Sequence, residues 1–312
     1  MQNGSGALRP SCTMPRMSRP LPDPLPSRPF SRREAERARV PSGRLRNKDV
    51  VHPFRGVQAT ALPTTVEERC RAYAVRMRPG EFFTHLTAAQ LHGLPLPPDA
   101  EVDERVHVGA LHPSGAPTGR GILGHRLRVP PRLVDVAGLS VADAIDAWCQ
   151  LAVALPLDDL IVIADALLTR LGEDARPELA AAAERPGRPA GGKLDRALAE
   201  ARFGSRSPGE TRLRLVLVRG GIPEPELNAP ILDARSKVLG HGDLVWRRAR
   251  VVAEYEGDLH RTDRDQFRYD IERYEQFRDA GWTVVRVTGD DLAASRRRAL
   301  VERMRRRLGD GS

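Results

Sequence analysis

From residue 207 onward the chain changes pattern in an order that few architectures accommodate. SPGETRLRLVLVRGG reads as a helix: Ser207 caps it, Pro208 suits its first turn and Gly220 ends it. LNAPILDA, HGDLVW and RVVAEYEG then read as three strands separated by short polar turns. TDRDQFRYDIERYEQFRDAG is a long helix closed by Gly281, WTVVRVT is a strand, and the basic run SRRRALVERMRRRL is a last helix. The order is α-β-β-β-α-β, then α. A strand-helix-strand crossover favours a parallel pair while the preceding strands meander, so the fold class expected is an α/β sandwich around one mixed sheet.

Ahead of this region the signals are weaker. Residues 1 to 45 are rich in Pro, Ser and Arg with few large apolar side chains, which predicts a disordered arm; Met14 and Met17 are alternative starts. Residues 46–184 read as a smaller mixed α/β domain. NKDVVHPFRGVQA suggests a small hairpin, and TTVEERCRAYAVRM opens with Thr64 and Glu67 in capping-box spacing. THLTAAQLHGL is a short helix closed by Gly93, ERVHVGA and GILGHRLRV are strands, and GLSVADAIDAWCQLAV and LDDLIVIADALL are helices. Residues 185–192, RPGRPAGG, are the most linker-like stretch, leaving 193–312 as the second domain. His85, His92, His107, His112 and His125 fall on different elements without metal-ligand spacing and read as structural or exposed histidines.

Composition bounds the function. A chain of 312 residues holds roughly two domains. Its formal charge of +9, carried almost wholly by arginine, points to a polyanionic partner, nucleic acid before membrane. Cys12, Cys70 and Cys149 fit neither a disulfide framework nor a zinc cluster, so a reducing cytoplasm is expected. No apolar run is long enough to span a membrane, and no apolar leader opens the sequence.

The chemistry concentrates in the strands after 238. Glu254 and Glu256 alternate onto one face of VVAEYEG, where like charges repel unless a cation sits between them. If the RRAR segment turns with Arg248 and Ala249 at its tip, Asp243 faces Glu254 across the hairpin and joins that face. A hard, oxygen-ligated Mg²⁺ or Mn²⁺ on Asp243, Glu254 and Glu256 would relieve the repulsion. Arginines pairing with the same acids on a solvent face would do so too.

SPGETR, HGDLVW, EYEG with a following histidine, and D-x-x-R-x-x-x-F-x-x-x-G-W-x-V-x-R from Asp270 to Arg286 together resemble the PD-(D/E)XK nuclease superfamily. The likeness is to its very-short-patch-repair-like endonuclease branch and covers about a quarter of the chain. It implies a restriction-endonuclease-like sandwich, with Asp243 and Glu254 as metal ligands and Glu210 as an outer ligand or water-orienting group. Ser207 and Glu210 also have capping-box spacing. Glu256 stands where the superfamily usually has lysine, so it would ligate metal or hold the water, and His260 becomes the candidate for proton transfer. Asp270 and Arg273 match the branch pattern, as a structural ion pair or, for Arg273, a phosphate contact. HPFRGVQA with FFTHLTAAQLHGLPLP resembles proteins related to AbiEi-type antitoxins. The expected function is a Mg²⁺-dependent DNA endonuclease hydrolysing phosphodiester bonds. The alternative is a DNA-binding antitoxin-type regulator whose nuclease-like domain is an inert scaffold.

Overall fold

The computed structural model describes residues 20–187, 191–257 and 264–309, which divide into two compact units. The first comprises residues up to Pro79 together with Gly119–Gly121. Its strand β1 (Phe30–Ser31) pairs antiparallel with β2 (Val57–Gln58), and a bridge joins Val51 to Ala59. Helix α1 (Arg32–Arg37) opens on a complete capping box between Ser31 and Glu34. Residues 20–45 are therefore folded, where composition suggests an arm; the rest of that arm, 1–19, lies outside the described residues. The reason is spacing: Leu21, Leu25, Phe30, Ala35, Val40 and Leu45 are few but converge with Val50 on one small core. Helix α2 (Val66–Ala74) is capped by Thr65 with Glu68, one residue beyond the expected pair, while Thr64 also donates to Glu68.

The second unit holds two sheets. In the first, β3 (Glu81–Phe83), β4 (Val106–Leu111), β5 (Ile122–Leu127), β6 (Leu133–Val136) and β7 (Leu139–Ala142) lie in the order β5-β4-β3-β7-β6. The β4–β5 and β3–β7 pairs are parallel; β3–β4 and β6–β7 are antiparallel. Around it run α3 (His85–Leu91), α4 (Pro98–Glu101), α5 (Ala144–Leu151), α6 (Leu157–Leu171), α7 (Arg176–Ala183) and α8 (Gly191–Glu200). The stretch GLSVADAIDAWCQLAV is thus half strand. Leu139–Ala142 pairs with β6 and β3, and Asp143 then caps α5 by accepting the Asp146 N–H.

Nor does the glycine-rich stretch at 185–192 separate two cores. Leu194, Ala197 and Leu198 of α8 pack with Leu160, Ile163 and Leu167 of α6, in a cluster that also takes in Leu215. Leu215 belongs to α9 (Pro208–Arg219), which opens the C-terminal region. A buried ion pair ties the same helices: Arg214 of α9 donates to Asp165 of α6 at 2.9 Å, both about 2% exposed or less.

Beyond α9 come β8 (Glu226–Leu232), β9 (Val238–Trp246), β10 (Val251–Glu256), α10 (Arg264–Asp279), β11 (Thr283–Thr288) and α11 (Arg297–Leu308). The element order is the one the sequence predicts. The sheet order is β11-β10-β9-β8, with β10–β11 parallel and the other pairs antiparallel, so the sheet is mixed as expected. Period-two alternation splits its side chains between two layers. Leu244, Trp246, Val251 and Ala253 pack with residues of α9 and α11, whereas Val245 and Val252 pack with Tyr274 and Phe277 of α10. Gly209 lets α9 approach the sheet: a Cβ there would lie 1.9 Å from the Tyr255 ring. Among the described residues no helix is long and apolar enough to cross a membrane.

Candidate functional site

The hairpin between β9 and β10 sets the register of the acids. Trp246 pairs with Val251, Val245 with Val252 and Leu244 with Ala253, the register that points Asp243 at Glu254. The four-residue turn closes without Gly or Asn because Arg250 itself adopts a positive φ of 50°. One pair further the strands part. The Asp243 carboxylate enters the gap and accepts the Tyr255 N–H at 2.8 Å.

Three of the expected residues gather here. Glu254 is 3% exposed and Glu210, at the start of α9, is 8% exposed. Burial, then the charge of Glu254, then that of Glu210, push the Asp243 carboxyl up to about 8. Glu210 does not complete a reciprocal box with Ser207. Its backbone N–H is capped by Ser207 Oγ, but its carboxylate accepts the Arg206 N–H at 2.9 Å and Asn228 Nδ2 at 2.8 Å. Asn228, held at a φ of 44°, had no signal in the sequence beyond being a polar residue inside a strand.

The cations facing these acids are arginines. Arg273 of α10 donates to Glu254 Oε2 at 2.8 Å and to the carbonyl of His241 at 3.0 Å. Arg286 of β11, the register partner of Glu254, forms a two-pronged pair with Glu256. Glu256 is thus engaged at the strand end, and the acids that act on Asp243 are Glu254 and Glu210. Among the described residues no three His, Cys, Asp or Glu side chains enclose a position that could hold a metal ion. His260 and the side chain of Asp270 lie outside the described residues.

The chain is 33% identical over 217 residues to the uncharacterized protein Rv2248 of Mycobacterium tuberculosis strain H37Rv, spanning 66% of this chain and 73% of that protein. Its counterpart MT2308 in strain CDC 1551 matches to the same extent. The chain belongs to this mycobacterial family. No family model matches it, and no solved structure does.

A second cluster is one that sequence spacing misses. His85, which opens α3, His107 of β4 and His125 of β5 come together: His125 Nε2 lies 3.1 Å from His107 Nδ1, and the His85 ring stacks on His125 with centroids 3.6 Å apart. Burial, then the neighbouring imidazoles, push His125 down to about 4 and His85 to about 2. Burial also lowers His107. All three are neutral in the folded protein at pH 7, while unfolded histidine titrates near ~6.5. Below that the unfolded chain binds more protons than the native one, so the cluster's contribution is complete above pH ~6.5 and lost as pH falls towards 4. Melting temperature should drop across that window, and His125→Leu should make the drop shallower; equal slopes would show that the cluster does not titrate this way.

Proposed function

We propose that this chain is a metal-dependent DNA endonuclease that hydrolyses phosphodiester bonds. The observation that carries the reading is the convergence of Glu210, Asp243 and Glu254 where β9 and β10 part, with the Asp243 carboxyl pushed up to about 8 beside the other two acids. A cation bound among these acids would displace that proton and offset the repulsion that raises the Asp243 carboxyl. The donors are hard oxygens, which suit Mg²⁺ or Mn²⁺ better than a soft metal. Asp243 and Glu254 would hold the ion, with Glu210 behind them, and Arg273 now occupies the cation's place on Glu254. Bound there, the metal would neutralise charge on the scissile phosphate and acidify a water.

The chain's own groups supply the rest. The Tyr255 N–H fixes one oxygen of Asp243, and Asn228 with the Arg206 N–H fixes Glu210. Arg273 and Arg286 stand on the same face with guanidiniums suited to phosphate oxygens, and Glu256 orients Arg286. His260 remains the candidate for proton transfer at the leaving oxygen. Helix α11 adds exposed Arg297, Arg298, Arg305, Arg306 and Arg307, so binding to DNA should weaken steeply with salt as counterions are released. The resemblance to very-short-patch-repair-like endonucleases supports the same reading.

A second reading is favoured by the two arginine pairs. With Arg273 on Glu254 and Arg286 on Glu256 the repulsion is already relieved without metal. The protein would then be a DNA-binding antitoxin-type regulator on an inert nuclease-like scaffold. Incubating the full chain with plasmid, mismatched and branched DNA in millimolar Mg²⁺ or Mn²⁺ separates the two. Nicking or cutting supports the endonuclease; salt-sensitive binding without cleavage of any of these forms gives the scaffold reading precedence.

A further inference from the structure

We infer that His85, His107 and His125 form a binding site for a borderline transition-metal dication of the Zn²⁺ class, separate from the carboxylate site. The fold brings them together. Thr84, following β3, donates its N–H to the His107 carbonyl at 3.1 Å, and β4 pairs with β5 so that His125 is opposite Gly109, two residues from His107 on the same face.

The spacing suits a shared ion. Two imidazole nitrogens ~2.0–2.1 Å from one tetrahedral metal lie about 3.3 Å apart; His125 Nε2 and His107 Nδ1 are 3.1 Å apart. The other nitrogen of His107 faces a carboxylate, the kind of group that orients a metal-binding histidine from behind. His107 is 7% exposed, its Nε2 makes no hydrogen bond, and it lies 3.9 Å from the Asp103 carboxylate, which Arg105 holds in place.

His85 stands beside this pair as the third imidazole. Thr84 Oγ1 lies 3.2 Å from its Nδ1, which leaves Nε2 for an ion. Gln150 Oε1 accepts both the His85 N–H and the Thr84 hydroxyl, and the His85 backbone sits at a φ of 49°. A non-glycine residue held at positive φ by its neighbours is strain of the kind that collects at ligand sites. As they stand the rings do not enclose a cation; closure requires His85 to turn out of its stack on His125. Imidazole nitrogens favour Zn²⁺, Co²⁺ or Ni²⁺ over Mg²⁺.

Titrating untagged full-length protein with Zn²⁺ and with Co²⁺ tests this. With millimolar Mg²⁺ present to occupy the carboxylates, one tight equivalent should bind, and the Co²⁺ form should show the intense visible bands of low coordination number. His125→Ala should weaken this Zn²⁺ binding about 100-fold or more and Asp103→Asn about 10–100-fold. Because Mg²⁺ holds the carboxylate site throughout, the outcome is independent of the nuclease reading. Should the histidine variants fail to fold, X-ray absorption of the Zn²⁺-loaded wild type decides, because imidazole scattering from three nitrogens is expected. Absence of saturable binding, or a shell of oxygen alone, overturns the site and leaves a structural histidine stack.

Discussion

Arg214→Ala is expected to cost about 3–5 kcal/mol of folding stability, the range for removing one partner of a buried ion pair. Asp165 is 1% exposed, and burial raises its carboxyl above the usual range even though Arg214, the Arg202 N–H and the Thr211 hydroxyl all oppose the shift. Without the guanidinium, that carboxylate keeps two hydrogen bonds and loses its counter-charge. The effect should reach beyond α9, because Arg214 also contacts Glu224 at 3.5 Å, just before β8. Urea denaturation of wild type, Arg214→Ala, Asp165→Ala and the double variant closes a thermodynamic cycle. The double variant should be less destabilised than the sum of the singles, since neither charge is stranded. Singles costing under 1 kcal/mol would show that solvent reaches the pair.

That ion pair also shows why the domain division is hard to read from sequence. RPGRPAGG has every compositional mark of a linker, and its flanks look independent. What joins them is long-range: Asp165 with Arg214, Thr211 with Asp165, and the shared cluster of Leu160, Leu194 and Leu215. No local pattern records such contacts. Strand β3 leaves no mark in the sequence for a similar reason, since three residues, EFF, give no period to detect. Residues 20–45 show the opposite case, because a core is built there from a few well-spaced apolar residues in a proline-rich stretch. By contrast the C-terminal order of helices and strands was legible, because each element there is long, periodic and capped.

The site was legible where it depends on one hairpin. Asp243 and Glu254 are joined by a short turn, so the hairpin register that runs to Leu244 and Ala253 delivers both acids to the mouth where the strands part. The counter-charges were not legible. Arg273 and Arg286 arrive from a helix and a parallel strand, and only the three-dimensional packing chooses which acid each takes. The histidine cluster depends on the parallel β4–β5 register and on β3, neither of which the sequence displays.

Glu254→Gln should lower DNA cleavage by about 10²-fold or more, the scale on which single groups stabilising transition-state charge act, and Glu254→Ala should abolish it. The glutamine variant keeps shape and a hydrogen-bond acceptor for Arg273, so folding, checked by circular dichroism, should be preserved. Removing a negative charge beside Arg273 should leave DNA affinity equal or higher, because the guanidinium is released towards phosphate. Loss of cleavage with retained binding is therefore the signature of a catalytic carboxylate; parallel loss of both would mark Glu254 as a structural partner of Arg273. Millimolar Mn²⁺ supplies the second readout. By mass action it should raise the melting temperature of wild type, and the rise should vanish in Asp243→Asn. A wild-type midpoint that ignores Mn²⁺, with no cleavage of any DNA form, would leave Arg273 as the permanent cation on Glu254 and the domain as a scaffold.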